Sequence, residues 1–303
     1  VVSTGSAESA QSGRHSLVQL VPDDLPAVLE LCGREPFLGA LVRSLVTRYG
    51  LAPGGPIRFW GMVGPSAGPG TSVGRHLAGL VTLDKAGRST IVGGGSAWAE
   101  PTALMLAQES AGATPLSFVD APPAMAGPLE TLMVPWASEQ LSILVWDAAA
   151  AGDTGAGKER HKGHDALIVR PLEQADGPAM NALYALDHGL GPVDSADLWA
   201  RHAQGSLLVM VGVTAARQEL VTAAWGSLGE GDATRIAGVL THPAHRNRGY
   251  GRAVVSALTT QLVGLGRRPF LYVARDNAPA VAIYRSIGYR PHAQVVKLKF
   301  TGK

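Results

Sequence analysis

The segment Arg246-Asn247-Arg248-Gly249-Tyr250-Gly251-Arg252 concentrates the residue types in this chain best suited to chemistry. It follows the apolar run Val239-Leu240-Thr241 and the pair His242-Pro243. The pattern reads as a strand that ends in a glycine-containing turn and opens a helix. The first backbone N–H groups of a helix have no intrahelical partners, and its dipole places partial positive charge there. Gly249 and Gly251 carry no side chain, so an anion can come close to the backbone. Arg246, Arg248 and Arg252 add charge around them. A diphosphate is the guest that suits such a turn. No Gly-Lys-Ser/Thr follows, so it is not a Walker A loop, and the third glycine of a dinucleotide fingerprint is missing. Taken alone, the turn also reads as a glycine-rich helix start ringed by solvated arginines.

A second group lies downstream. Leu271-Tyr272-Val273 reads as a strand, followed by Asn277, Ala280, Tyr284 and Gly288-Tyr289. Tyr284 lies two helical turns after Asn277. In isolation it reads more readily as a core tyrosine on a helix facing the sheet. Together, Arg246-x-x-Gly249-x-Gly251 and the Asn277–Tyr289 group resemble the two coenzyme-A motifs of the GNAT superfamily of N-acetyltransferases. The resemblance covers about Ala166 to Phe300.

The resemblance implies an acyl-CoA donor, acetyl-CoA or another, and no metal. It implies that backbone groups of Val239, Leu240 and Thr241 bond the acetyl carbonyl and the pantetheine arm. Arg246 and the backbone N–H groups of Asn247, Arg248, Gly249, Tyr250, Gly251 and Arg252 would hold the pyrophosphate. The fourth and fifth strands of such a domain splay apart around the pantetheine. Asn277 would order the next helix or touch the cofactor. Tyr284 would contact the cofactor and act as general acid toward the departing thiolate. An amine attacks the thioester directly, and phenol and thiol pKa values are close enough for a tyrosine to supply the leaving proton.

The general base is not evident. The strand Arg235–Thr241 carries no carboxylate, where many relatives place a glutamate. Five positions before Asn277, where the family's N-terminal protein acetyltransferases carry glutamate, stands Tyr272. A water, Asp187, His188 and Glu230 remain open as bases. The acceptor, a small-molecule or peptide amine, is not named by the sequence. The loop holding Asp187, Asp194 and Asp197 either attracts a cationic amine or is a solvated loop with a helix N-cap. Trp199 and Trp225 read as packing residues. A non-catalytic acyl-CoA sensor or regulatory module is the alternative function. Nucleic-acid binding through Arg246–Arg252 is explained better by a single diphosphate.

The elements that must position these residues follow from hydrophobic patterning. In the second half, strands are expected at Ser206–Val213, Leu220–Leu228, Arg235–Thr241, Phe270–Ala274 and Gln294–Phe300. Helices are expected at Gly251–Gly264 and Ala278–Ile287. In the first half, strands are expected at Ile57–Val63, Leu77–Leu83, Leu116–Val119 and Leu141–Trp146. Helices there are expected at Leu25–Leu31, Leu38–Tyr49, Glu100–Glu109 and Met125–Met133. The stretch 148–165 is small, polar and aperiodic, and reads as a linker. Each half opens with a strand, a polar turn with Asp, and a helix with an early Pro. That is either a weak internal repeat or coincidence.

The fold class expected is α/β (α+β): two tandem acetyltransferase-like domains, each a mixed, mostly antiparallel twisted sheet flanked by helices. Residues 1–15 are expected to be a disordered tail. Residues 16–147 are expected to form a degenerate GNAT-like or unrelated α/β accessory domain, and 166–303 the acetyl-CoA-binding domain. The first half lacks the arginine turn. Its nearest counterpart is Ile91-Val92-Gly93-Gly94-Gly95-Ser96, whose glycines precede a helix without a following cation.

The 303 residues are 46% hydrophobic and 17% charged, which excludes wholesale disorder. A net charge of +2 is too weak to point to nucleic acid. Cys32 is the sole cysteine, so no intrachain disulfide forms. The apolar runs are much shorter than the roughly 20 residues of a membrane span. No signal peptide is evident in the sequence given, and cytoplasm is the expected location. Oligomeric state is not readable.

Overall fold

The computed structural model describes residues 16–63, 76–111, 115–150, 166–186, 193–229 and 231–300. The expected tail at 1–15 and most of the linker at 148–165 lie outside them. In the first half the order is β1 (Ser16–Gln19), α1 (Leu25–Arg34), α2 (Leu38–Tyr49), β2 (Ile57–Val63), β3 (Leu77–Asp84) and β4 (Arg88–Gly93). Then follow α3 (Ala99–Ser110), β5 (Phe118–Ala121), α4 (Pro123–Met133) and β6 (Ala137–Trp146). The second half repeats the order with β7 (Leu167–Pro171), α5 (Gly177–Tyr184), α6 (Ser195–Ala203), β8 (Leu207–Thr214), β9 (Leu220–Ser227) and β10 (Ala233–Thr241). It closes with α7 (Tyr250–Gly264), β11 (Arg268–Ala274), α8 (Ala278–Ile287) and β12 (Tyr289–Lys299). The same succession of strands and helices in both halves is the tandem α/β architecture expected.

Two compact units result: 1–140 with 294–303, and 141–293. This division differs from one at 148–165, because the last strand of each half serves the other unit. In the first unit the strand order is β1-β2-β3-β4-β5, followed by the end of β12. There Val296–Lys299 pairs antiparallel with Phe118–Ala121. In the second unit the order is β6-β11-β10-β9-β8-β7. There Leu141–Val145 of β6 pairs antiparallel with Phe270–Ala274 of β11. The pairings β4–β5 and β10–β11 are parallel and the remaining ones described are antiparallel.

Each sheet is apolar on both faces because helices cover both. In the second unit, Val254, Val255, Leu258 and Leu262 of α7 are fully buried on Met210, Ala224, Ile236 and Leu271. On the opposite face, Met180, Leu183 and Tyr184 of α5 and Leu198 of α6 pack on Val209, Val211, Ala223 and Leu240. In the first unit α3 and α4 cover one face, and α1 and α2 the other. Cys32 is buried in α1, and burial pushes its thiol up to about 11.

Strand β4 is absent from the sequence expectation. Its polar start and terminal glycines hide the alternation, and those glycines have a packing reason. Gly93 and Gly94 both have left-handed backbone, with φ +70 and +74. A Cβ on Gly94 would lie 2.6 Å from Met62 Sδ, and one on Gly93 2.8 Å from the Ala78 carbonyl oxygen. Gly94 therefore makes room for the unit's own core, in which Met62 and Met125 are fully buried, and Gly93 for the backbone of β3.

Candidate functional site

The second unit's site starts from a parting of strands. Ala233–Ile236 of β10 pairs in parallel with Arg268–Leu271 of β11. The register goes no further, although β10 runs on to Thr241 and β11 to Ala274. On its other side β10 shifts register against β9 between Ala237 and Leu240. Gly238 sits in that bulge with φ +62. A Cβ there would lie 2.1 Å from the Trp225 ring, so the bulge needs glycine and fits over the indole. The Tyr184 hydroxyl donates to the Gly238 carbonyl, and the Tyr184 and Trp225 rings are 5.3 Å apart. An isolated glycine in an apolar strand is a readable bulge signal. Nothing in the sequence around Tyr184 pairs it with that glycine.

Val239, Leu240 and Thr241 thus lie on the stretch of β10 that has left β11. The strand's end is braced from behind. The buried Thr222 hydroxyl donates to the Leu240 carbonyl at 2.9 Å, and the Thr241 hydroxyl lies 3.0 Å from Thr222 Oγ1. A Cβ on Gly251 would lie 3.1 Å from Thr241 Oγ1, so the start of α7 sits tightly over the strand. Any larger side chain at Gly251 would press on that hydroxyl.

The turn between them is short. His242 Nδ1 accepts from the Ala244 N–H at 3.2 Å, and Arg246 Nε donates to the Thr241 carbonyl at 3.3 Å. Asn247 and Gly249 adopt left-handed backbone, with φ +61 and +75. Left-handed positions in a turn are what build concave nests of backbone N–H groups. The helix then begins at Tyr250, whose side chain is 1% exposed and faces His245 at 6.2 Å between ring centroids. Tyr250 therefore anchors the turn, and only its backbone is available to a ligand. Arg246 and Asn247 are exposed, and Arg248 and Arg252 are half-buried.

Tyr284 lies on α8, and Asn277 is the residue that immediately precedes that helix. The Asn277 side chain caps the helix by accepting from the Ala280 N–H at 3.2 Å. Of the two roles open to Asn277, ordering the helix is the one this geometry supplies. Tyr284 is 8% exposed, and burial pushes its phenol up to about 12. Its ring meets Tyr289 edge-on at 6.1 Å. The C-terminal end of α8 is held by Trp146 Nε1, which donates to the Ile287 carbonyl at 3.2 Å.

No carboxylate stands on β10, as the sequence already requires. Asp187, His188 and Glu230 lie outside the described residues. Asp194 caps α6, accepting from the N–H groups of Ala196 and Asp197, and Asp197 faces Arg201 at 3.5 Å. Trp199 packs at the edge of the α5/α6 core, and Trp225 lies under the bulge. Among the described residues, no group of three or more His, Cys, Asp or Glu is placed to hold a metal ion. No described helix is long and apolar enough to cross a membrane.

Residues 210–297 match the family model described as FR47-like protein. No curated protein matches the chain. Among solved structures, a GCN5-related N-acetyltransferase from Sphaerobacter thermophilus superposes with a TM-score of 0.61 at 15% identity, over 94% of each chain. A tandem GNAT protein from the clavulanic acid biosynthesis pathway gives 0.58 at 14% identity, over 96% of this chain and 100% of that one. A GNAT-family acetyltransferase from Colwellia psychrerythraea gives 0.52 at 11% identity, over 94% and 100%. The chain has the tandem GNAT acetyltransferase fold.

Proposed function

We propose that this chain is an N-acetyltransferase that moves an acetyl group from acetyl-CoA to a primary amine, using the second unit. The observation that carries this reading is the parting of β10 from β11 at the Gly238 bulge, beside a helix start made of Arg246–Arg252. The site suits coenzyme A on two counts. Beyond Ile236, β10 presents peptide groups that β11 does not pair, which suits the amide-bearing pantetheine arm. At the turn, left-handed Asn247 and Gly249, Gly251 without a side chain, and the arginines suit a diphosphate. Bound there, acetyl-CoA supplies the acyl group as an activated thioester.

In this reading the chain's residues divide the work. Val239, Leu240 and Thr241 offer backbone groups, kept in place by Thr222. Asn247–Arg252 offer N–H groups to the diphosphate, with charge from Arg246, Arg248 and Arg252. Asn277 fixes the start of α8, and α8 presents Tyr284. With its phenol near 12, Tyr284 holds its proton at Oη throughout the physiological range. Full transfer to a thiolate of ordinary pKa, about 8.5, is uphill by roughly 3.5 units, or about 5 kcal/mol. Tyr284 therefore acts as a hydrogen-bond donor to charge developing on sulfur, and gives up its proton only as the amine's own proton replaces it. No carboxylate base on β10 is needed if the amine arrives neutral and passes its proton through water to Tyr284.

The test is thiol release from acetyl-CoA over a panel of amines. Transfer to an amine well above the rate of hydrolysis is the expected result. Tight acetyl-CoA binding with no transfer to any amine would favour a non-catalytic acyl-CoA sensor instead.

A further inference from the structure

The sheet of the second unit has a donor side and an opposite side. Ile236 and Leu271 pack toward α7 and α8, the side that carries the arginine turn and Tyr284. Side chains alternate along a strand. Arg235 and Tyr272 therefore project from the other side, the one covered by α5 and α6. Arg235 pairs in register with Phe270, one residue before β10 and β11 part. Its guanidinium lies over the Tyr272 ring, 4.2 Å from the centroid.

Arg235 has no carboxylate partner among the described residues, although it sits inside a strand. Each described carboxylate between Arg170 and Arg235 has another partner. Glu173 and Asp176 face Arg170, Asp194 caps α6, Asp197 faces Arg201, Glu219 faces His245, and Asp232 binds Arg268. Among the described residues none pairs with Arg235. Its Nε is buried and has no hydrogen-bond partner. Tyr272 supports the guanidinium from one face, and the terminal Nη groups of Arg235 have no hydrogen-bond partner among the described residues, while the residue as a whole is half-buried. A planar fork of donors with one edge unsatisfied is the complement of a carboxylate.

We propose that the acceptor amine carries a carboxylate, and that Arg235, steadied on Tyr272, binds it. This rests on the acetyltransferase reading above. With the turn and Tyr284 on the α7/α8 side, the amine comes to the gap from the α5/α6 side, where Arg235 stands. The carboxylates of the acidic loop that are described, Asp194 and Asp197, are committed to a helix cap and to Arg201, so they do not read a cationic acceptor. Arg235 acts on binding and orientation only. In the transfer itself the amine nitrogen bonds to the acyl carbon, the carbon–sulfur bond breaks, the thiolate takes a proton, and the nitrogen loses one.

The experiment compares amino acids with their own carboxamides as acceptors, in the full chain and in Arg235→Gln. The wild type is expected to prefer the acids by about 10- to 100-fold in kcat/KM, the worth of a charged hydrogen-bonded contact. In Arg235→Gln that preference is expected to collapse to within about threefold through KM, with partial recovery in Arg235→Lys. Acetyl-CoA affinity, measured separately by calorimetry, reports whether each variant is folded. Should the variants not fold, the acid-to-amide ratio of the wild type decides alone. Equal use of acids and amides, or preference for amides, overturns the carboxylate assignment while leaving the acetyltransferase reading intact. Acetyl-CoA binding without transfer to any acceptor overturns both.

Discussion

The hydroxyl of Tyr184, the last residue of α5, donates to the carbonyl of Gly238, the residue at which β10 bulges over Trp225. That bond ties a helix on one face of the second sheet to the point where its central strands part. The parting is therefore a built feature, held by Tyr184 above and by the Thr222 hydroxyl on Leu240 beside it.

Tyr184→Phe keeps the ring and removes only the donor. The Gly238 carbonyl is then left short of a partner in a buried place, a loss of about 1–3 kcal/mol. Thermal denaturation should show that loss, and calorimetry should show weaker acetyl-CoA binding by several-fold. Unchanged binding in a destabilised variant would mean that the bulge does not shape the site. Gly238→Ala should be harsher, because it combines positive φ with a Cβ set against the Trp225 ring.

Tyr284→Phe should lower turnover by about 10²-fold or more, the usual scale for a positioned acid, with acetyl-CoA affinity nearly unchanged. Burial raises the phenol to about 12, so Tyr284 stays protonated below that pH. The rate should then rise with pH as the acceptor amine loses its proton, and stay level up to about pH 10. Changing the acceptor should move the rising limb with the acceptor's own pKa. A falling limb near pH 9, independent of the acceptor, would contradict this assignment.

The sequence marks some of this plainly. The helix Ala278–Ile287 is read to the residue because Asn277 caps it, Pro279 suits its first turn and Gly288 ends it. The turn at Gly249 is equally legible from its glycines and arginines. The strand Leu141–Trp146 is visible as a strand, but alternation reports which face is buried and never which neighbour it joins. That is why the exchange of β6 and β12 is invisible in the sequence. Strand β4 is missed for a different reason, since Gly93 and Gly94 mimic a binding loop while making room for the Ala78 carbonyl and for Met62. Arg235 is one polar residue in an apolar strand, and its significance exists only once Tyr272 lies beneath it.

Asp176 offers a stability test apart from the site. Burial works against its charge, but two hydrogen bonds from Arg170, at 2.7 and 2.8 Å, and one from the Glu173 N–H outweigh it. The carboxyl is held below its ordinary value, so it stabilises the fold above that value and loses the contribution as pH falls through the lowered one. Asp176→Asn should cost about 1–3 kcal/mol at neutral pH. Chemical denaturation should show the gap between variant and wild type closing below about pH 4. A gap independent of pH would show that the charge is not what matters.

In this reading acetyl-CoA binds at the Arg246–Arg252 turn, while Gly94 of the first unit is set against its own core at Met62. A calorimetric titration of acetyl-CoA into the wild type and into Gly249→Val tests it most directly. Valine at Gly249 is strained by the left-handed backbone, with φ +75, and its side chain blocks the approach of a diphosphate to the turn. One site per wild-type chain is expected, with no binding in a Gly249→Val chain whose circular dichroism is unchanged. Two sites per chain, or undiminished binding by that variant, would contradict it.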